Sequence, residues 1–298
     1  MAITAKQVKE LRERTAAGMM DCKKALTATD GDMEKAIDWL RENGLAKSAK
    51  KAGRVAAEGL TRVAVDGNTA VIFEVNSETD FVSKNDQFLE LLDTIQAALA
   101  ANQPATVEEA LQIELPSGTI NDLILSATAT IGEKIMLRRL AIVNKTDDQT
   151  FGAYMHNKGA ISALVVLNGA SAEVAKNIAM QVASMRPLYV SQSDIPADVI
   201  AHETEVQKKI MAEDPKLAGK PEKMIEGILK GKVSKHFQEE CLLDQEYFLE
   251  SKKKVSAYLK ENGASVVEFI RFQVGEGIEK KEEDFAAEVA AQMEAANK

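Results

Sequence analysis

The sequence has few of the residues that form covalent cross-links, metal sites or catalytic centres. Its two cysteines, Cys22 and Cys241, lie far apart in different contexts. They form neither a CxxC pair nor a Cys/His metal pattern, so we expect no disulfide framework and no zinc site. The motifs HExxH and GxSxG are absent, and no nucleophile has an evident base near it. The residues alone therefore give no direct indication of catalysis.

Long apolar segments and an excess of basic residues are also missing. No apolar run approaches the roughly 20 residues that cross a bilayer, and MAITAKQVKE at the start lacks the apolar core of a signal peptide. We therefore expect a cytoplasmic protein that does not enter a membrane. The net charge of −9 and the pI near 5.1 argue against a general nucleic-acid binder.

The basic residues concentrate in one segment, KSAKKAGR at 47–54. A charge run of this length favours a solvated helix face or a linker, and the alternative is a dedicated anion or RNA site. With 298 residues, of which 45% are hydrophobic and 28% charged, the chain has an ordinary globular composition. It is longer than one core normally organises, so we expect two or more domains.

Residues 1–45 predict a small module of three helices. Thr4 and Gln7 form a capping-box start. Helical spacing of apolar residues continues through three short segments. A core of this size is very small, so the module should pack against the main body or against a partner. The apolar positions are Val8, Leu11, Met19, Met20, Ala25, Leu26, Met33, Ile37 and Leu40.

The main body shows one pattern twice, which predicts a duplicated α+β core. A hairpin over 60–75 is followed by helices and a returning strand at 135–143. A second hairpin over 151–167, a helix and a strand at 266–274 repeat this order. Each half should therefore form an antiparallel three-stranded sheet covered by helices.

Two further helical segments complete the chain. The ranges 194–212 and 222–240 predict an antiparallel helical hairpin, inserted before the last strand, in which Val199, Val206 and Ile210 would face the second helix. EEDFAAEVAAQM at 282–293 predicts an amphipathic terminal helix that docks either on its own body or on a partner. We assign residues 1–54 to the N-terminal module and linker, 55–145 to the first half of the core, 146–193 with 241–280 to the second half, 194–240 to the inserted arm, and 281–298 to the terminal helix.

A loop at 79–82, TDFV, connects a predicted strand to a predicted helix. Such connections are usually polar, yet this one places Phe81 beside Asp80. Phe81 either folds back into the seam between strand and helix or is presented to a partner. Of the three histidines, His156 lies in the second hairpin turn, whereas His202 and His236 lie on the inserted arm. The residues leave three classes open: an interaction factor, an enzyme with a scattered site, and an adaptor that uses the N-terminal helices.

Three stretches of the sequence resemble the bacterial elongation factor Ts family. They are KELRERTAAGMMDCKKAL (9–26), VNSETDFV (75–82) and FIRFQVGEGIEKKEEDFAAEVA (269–290). The match runs in order over nearly the whole chain. The resemblance implies an N-terminal three-helix (UBA-like) module, a duplicated core, a coiled-coil arm and a C-terminal helix.

The resemblance also implies a function in translation elongation. Members of the family bind the GTPase elongation factor Tu, accelerate its release of GDP, and stay on the nucleotide-free form until GTP binds. They are not enzymes, need no cofactor and need no direct contact with RNA. In the family the TDFV loop, here Thr79, Asp80, Phe81 and Val82, enters the GTPase near its magnesium ion, and the aromatic ring acts as a wedge.

Further partner contacts carry over from the resemblance. Lys9, Lys23 and Lys51 match the part that meets the phosphate-binding side of the GTPase domain. His156 lies in the second contact turn, although HNKGAIS departs from the family's HGGRIG-like stretch. Phe285 and Val289 match the helix that docks on the GTPase. The arm at 194–240 is associated with self-association in some members.

Overall fold

The fold is mixed α and β, as predicted. A computed structural model describes residues 3–15, 17–214, 217 and 221–279, without the side chains of 45–50. One antiparallel sheet has β2 (Thr69–Ser77) between β1 (Glu58–Asp66) and β5 (Met136–Asn144), and a second has β7 (Ile161–Asn168) between β6 (Gln149–His156) and β8 (Ser265–Gln273). A third sheet contains β3 (Glu114–Leu115) and β4 (Gly118–Thr119). No helix in the described part of the chain is long and apolar enough to cross a membrane.

The N-terminal module has the three helices that the sequence predicts. They are α1 (Ala5–Thr15), α2 (Met19–Ala28) and α3 (Met33–Lys51). The amide of Thr4 donates to Gln7 Oε1 over 3.0 Å, and the amide of Gln7 donates to Thr4 Oγ1 over 3.3 Å, which confirms the capping box. The buried core consists of Val8, Leu11, Cys22, Ala25, Leu26 and Ala36.

Two apolar residues of the module lie outside this core. Met19 and Met20 keep 59% and 62% of their surface exposed. The second helix forms where the sequence predicts it, but Met19 and Met20 stand in its first turn and the core positions begin at Cys22. The module packs against the main body at helix α6 (Ile120–Ile131), since a Cβ on Gly44 in α3 would lie only 3.1 Å from Ala129 Cβ in α6.

The first half of the core has the predicted order of hairpin, helices and returning strand, but the capping-box pattern of Thr106 and Glu109 in the sequence is only half formed. The Thr106 hydroxyl caps the next helix by accepting from the Glu109 amide, but Glu109 accepts from Ala105 rather than from Thr106. The complete capping box belongs to Thr119 and Asp122. The elements are β1 (Glu58–Asp66), β2 (Thr69–Ser77), α4 (Asp86–Asn102), α5 (Val107–Leu111), β3 (Glu114–Leu115), β4 (Gly118–Thr119), α6 (Ile120–Ile131) and β5 (Met136–Asn144).

The second half repeats the hairpin, helix and returning strand. Strands β6 and β7 are antiparallel, with Phe151 opposite Val166. The buried face of α7 (Ala172–Met185) packs on β7 and on α10 (Val255–Glu261) through one apolar cluster. The elements are β6 (Gln149–His156), β7 (Ile161–Asn168), α7 (Ala172–Met185), α10 (Val255–Glu261) and β8 (Ser265–Gln273).

The inserted arm contains α8 (Ala197–Ala212) and α9 (Glu222–His236). Its buried cluster joins Ile195, Val233, Phe237 and Cys241, and Val199, Ile200 and Leu229 pack against it. Ile210 does not face the second helix as predicted, because it is 51% exposed while its neighbour Met211 is 5% exposed and takes the inward position.

By internal packing the chain divides into two compact units. The first comprises Met1–Leu60, Phe73–Leu140 and Gln273–Lys298, and the second comprises Thr61–Ile72 and Ala141–Phe272. The core of the second unit includes the cluster of Ala70, Ile72, Val143, Phe151, Leu164 and Val166.

A buried ion-pair cluster organises the first unit around Glu74, whose side chain has no exposed surface. Arg138 Nη1 lies 3.1 Å from Glu74 Oε1, and Arg139 Nε lies 2.6 Å from Glu74 Oε2. The amide of Gly275 also donates to Glu74 Oε1, over 2.8 Å. Gly275 has φ 69°, and a Cβ there would overlap the Ala57 carbonyl oxygen, so this close approach requires glycine. The cluster ties residues after β8 to β2 and β5.

Candidate functional site

The TDFV loop connects β2 to α4 and is ordered by local hydrogen bonds. Strand β2 ends at Ser77, and a short 3-10 helix covers Val82–Lys84. The Asn85 side chain then accepts from the Gln87 amide over 2.8 Å, so Asn85 is the N-cap of α4. Because the cap fixes where the helix begins, the chain must complete its turn within residues 78–84.

The base of the loop is held by two carboxylates. Glu133 Oε2 accepts from the Thr79 amide over 2.8 Å, and Glu133 Oε1 accepts from the Thr79 hydroxyl over 2.6 Å. In the opposite direction, Glu78 Oε1 accepts from the Lys134 amide over 2.6 Å. The base of the loop is therefore fastened to the segment between α6 and β5.

The two apolar residues of the loop have opposite environments. Phe81 is 78% exposed, the largest exposed fraction among the large hydrophobic side chains of the described residues, whereas Val82 is only 5% exposed. The interpretation that Phe81 fills the seam between strand and helix is therefore wrong, because Val82 is the buried residue. Full burial of a phenylalanine side chain is worth about 1.5–3 kcal/mol, so the fold leaves most of this contribution unused.

Asp80 lies at the tip beside Phe81 with its carboxylate in solvent. The side chain is 62% exposed, and Lys84 Nζ lies 3.7 Å from Asp80 Oδ2. An exposed ion pair at this distance contributes little to stability. The Asp80 carbonyl oxygen accepts from the Ser83 hydroxyl over 2.6 Å, so its backbone orders the turn while the carboxylate remains available to a partner.

The described residues contain neither a cluster of metal-ligating side chains nor an activated thiol. They contain no group of three or more His, Cys, Asp and Glu side chains that would hold a metal ion. Burial raises the pKa of the Cys22 thiol, and burial together with the nearby Asp244 charge raises the pKa of Cys241 to about 11. Both thiols are therefore protonated at neutral pH, which is unfavourable for nucleophilic chemistry.

Comparison with known proteins connects this loop to a family. The family model described as Elongation factor TS matches residues 78–276, a range that includes the whole TDFV loop and ends just after β8. The curated relatives are each named Elongation factor Ts. The chain is 51% identical over 292 residues to the protein of Lacticaseibacillus casei (strain BL23), with 98% of both chains covered. It is 52% identical over 294 residues to that of Acholeplasma laidlawii (strain PG-8A), with 98% of this chain and 99% of the relative covered.

The chain belongs to the elongation factor Ts family. The resemblance recognised from the three sequence stretches is thus confirmed, and it places the protein in translation elongation.

Three lysines implied by the elongation factor Ts resemblance lie in the N-terminal module. Lys9 is 78% exposed on α1 and pairs with Glu13 over 3.7 Å, and Lys23 is exposed on α2. Lys51 is half-buried at the end of α3. Met19 and Met20 lie one turn before Lys23, so all three share one side of α2. The sequence analysis did not include these methionines among the candidate contact residues. Their place at the start of the helix, before its core positions, could have indicated an exposed binding surface.

His156, which the elongation factor Ts resemblance also implies, ends β6 in the second unit. Its Nδ1 lies 3.2 Å from the Tyr154 hydroxyl, and the rings are 6.0 Å apart. Asn157 and Lys158 have φ of 47° and 58°, a left-handed conformation that favours glycine. Two residues of the HNKG stretch that are not glycine therefore adopt a strained backbone conformation. Phe285 and Val289, the other implied contacts, lie outside the described residues.

Proposed function

We propose that the protein is a guanine-nucleotide exchange factor for elongation factor Tu, acting in the cytoplasm by protein–protein binding rather than as an enzyme. It binds the GDP complex, promotes GDP release, and stays on the nucleotide-free partner until GTP binds. Family membership supports the general role, and one observation supports the use of this loop. Phe81 is 78% exposed on a connection whose base is firmly hydrogen-bonded.

The proposed mechanism is the insertion of Phe81 beside the partner's nucleotide site. Bound nucleotide is held largely through its phosphates and Mg²⁺, and Mg²⁺ requires near-ideal octahedral geometry. A wedge that displaces the residues supporting the ion weakens the hold on both the ion and the diphosphate. An aromatic ring is suited to this role because it is large and stiff and gains free energy on burial in a pocket.

The energetics require more than one contact region. By linkage, the protein weakens GDP binding by the same factor by which GDP weakens binding of the protein. A factor of 10⁴ corresponds to about 5.5 kcal/mol of coupling. Truncating a buried interface aromatic typically costs about 2–4 kcal/mol, so Phe81 supplies only part of this.

We assign the remaining contacts to the other positions that the family implies. Lys9, Lys23 and Lys51 meet the GTPase domain on its phosphate-binding side, and His156 contacts a second region of the partner. Neither contact requires nucleic acid or a membrane. The terminal helix docks on the GTPase through Phe285 and Val289. The arm at 194–240 supports self-association.

The test is stopped-flow release of fluorescent GDP from elongation factor Tu, with wild type, Phe81→Ala and a control compared at several concentrations. Leu249→Ala is a matched control, because it also removes a large apolar side chain that is more than half exposed. We expect wild type and Leu249→Ala to accelerate release equally and Phe81→Ala to lose roughly tenfold, which is about 1.4 kcal/mol. No acceleration by wild type with an active partner would refute the exchange function. Full activity of folded Phe81→Ala would refute the wedge.

A further inference from the structure

We infer that Glu133 is a positioning residue for exchange: it holds Thr79 so that Phe81 is presented in a fixed direction before the partner arrives. The inference deepens the proposed function and rests on it. Glu133 lies outside the TDFV loop, 54 residues beyond Thr79 in the chain.

The direction of Phe81 is not fixed by contacts of its own ring. A side chain that is 78% exposed has too few packing contacts to hold its own position. The direction must therefore come from the backbone of the loop. Thr79 is the residue two positions before Phe81, and both its amide and its hydroxyl donate to the Glu133 carboxylate, over 2.8 and 2.6 Å. Hydrogen bonds to an ionised acceptor are roughly twice as strong as neutral ones.

Glu133 is itself placed by the end of α6. Gly132 has φ 90° and forms the C-cap, with its amide donating to the Thr128 carbonyl over 3.1 Å. The Thr128 hydroxyl, which is buried, accepts from the Ile135 amide over 3.2 Å. Residues 132–135 are thus fastened at both ends, so the Glu133 carboxylate rests on a rigid element.

A second hydrogen bond, in the opposite direction, also joins the base of the loop to the segment after α6. Glu78 accepts from the Lys134 amide over 2.6 Å, while Glu133 accepts from the Thr79 amide. Residues 78–79 therefore supply one carboxylate and one amide to residues 133–134, and residues 133–134 supply the same two groups in return. Such a pair of bridges resists both sliding and rotation of the loop base, which a single hydrogen bond would not do.

The end of the basic segment joins the same attachment. Arg54 Nη1 lies 3.3 Å from both oxygens of Glu78, and Lys134 Nζ donates to the Arg54 carbonyl over 2.9 Å. Arg54 therefore braces the loop base. The Arg54 side chain is 53% exposed, so its ion pair is screened and we expect Glu133 to matter more.

Four substitutions test the Glu133–Thr79 contact by removing or keeping its individual hydrogen bonds. Glu133→Ala removes both hydrogen bonds, and Glu133→Gln keeps one acceptor oxygen without the charge. Thr79→Val removes only the hydroxyl bond, and Thr79→Ser keeps both. We expect Glu133→Ala to lower the maximal rate of GDP release about tenfold, as loss of a hydrogen bond to a charged acceptor would. Glu133→Gln and Thr79→Val should fall between, and Thr79→Ser should retain more activity than Thr79→Val because it keeps the hydroxyl bond.

The first readout separates positioning from folding. Because the initial encounter uses other surfaces, we expect the maximal release rate to fall while the half-saturating concentration stays within about twofold. The Thr79 amide, measured by hydrogen exchange in the free protein, should lose protection in Glu133→Ala. Glu114→Ala, which removes an exposed carboxylate in the same unit, is the matched control and should leave both readouts unchanged.

The second readout is a double-mutant cycle with Phe81→Ala. If Glu133 acts through the ring, Glu133→Ala in the Phe81→Ala background should have little further effect. Additive losses would overturn the inference, as would full exchange activity of Glu133→Ala with an unprotected Thr79 amide. If wild type fails to accelerate release, the proposed function fails first. If wild type and Phe81→Ala behave as proposed while Glu133→Ala equals wild type, only the positioning role is refuted.

Discussion

Phe81 and Val82 are adjacent in sequence but should respond to truncation in opposite ways. Phe81 is 78% exposed, so about a fifth of its side chain is buried by the protein itself. Full burial of a phenylalanine contributes about 1.5–3 kcal/mol, and a fifth of that is about 0.3–0.6 kcal/mol. Phe81→Ala should therefore lower the free energy of unfolding by no more than about 0.6 kcal/mol while it impairs exchange.

Val82→Ala should show the reverse pattern. Val82 is 5% exposed, and the substitution removes two buried carbons at about 0.8 kcal/mol each, with a cavity cost added. We expect a loss of about 1.5–2.5 kcal/mol in the free energy of unfolding. Exchange by the folded fraction should fall less than in Phe81→Ala, because the ring is still present.

The assay is urea unfolding followed by far-UV circular dichroism, with the exchange rate measured on the same preparations. Trp39, the one tryptophan of the chain, provides an independent fluorescence signal from the first unit. A loss above about 1.5 kcal/mol for Phe81→Ala would refute the reasoning. It would mean that the ring packs on the body in solution and that its effect on exchange is indirect.

Three further predictions concern stability and thiol reactivity. Glu74→Ala should lower the free energy of unfolding, measured in urea, by about 3 kcal/mol. This is the low end for a broken buried ion pair, because the side chains of Arg138 and Arg139 remain 21% and 28% exposed. A loss below about 1 kcal/mol would contradict the stabilising role of the cluster. Hydrogen bonds from the Thr119 amide and hydroxyl lower the pKa of Asp122 from 3.8, so its stabilisation is full above that value and is lost as the pH falls through the lowered pKa. The stability difference between wild type and Asp122→Ala should therefore shrink in acid, and a difference that grows would contradict the cap. Because burial raises the pKa of Cys241 to about 11, iodoacetamide at pH 8 should label it only after unfolding, and rapid labelling of the native protein would refute its burial.

The regular elements were predictable because their signals are local. The apolar face of α4, with Phe88, Leu92, Ile95 and Leu99, is fully buried, as helical spacing predicts. Both hairpins also formed where turn residues separate two β-rich runs. The β3–β4 hairpin was missed, because strands of two residues are too short to show an alternating pattern.

The long-range contacts were not predictable from periodicity. Glu133 binds Thr79 across 54 residues, and Gly275 donates to Glu74 across 201 residues. A partial signal existed for the second case, since Glu74 interrupts the apolar strand VIFEV and a buried carboxylate needs cationic partners. Nothing in the residues near Thr79 points to Glu133, so the support of the loop became visible only in three dimensions.

The support of the loop bears directly on how strongly exchange can be coupled to nucleotide. If the TDFV loop were unordered and became fixed only against the nucleotide-free partner, the ordering cost would fall on that complex alone. Fixing four residues costs about 4–8 kcal/mol in backbone entropy, at about 1–2 kcal/mol per residue. That is as large as the roughly 5.5 kcal/mol that a 10⁴-fold coupling requires. A loop already held at Thr79 avoids this differential cost, so the free energy gained by burying Phe81 is available to displace GDP.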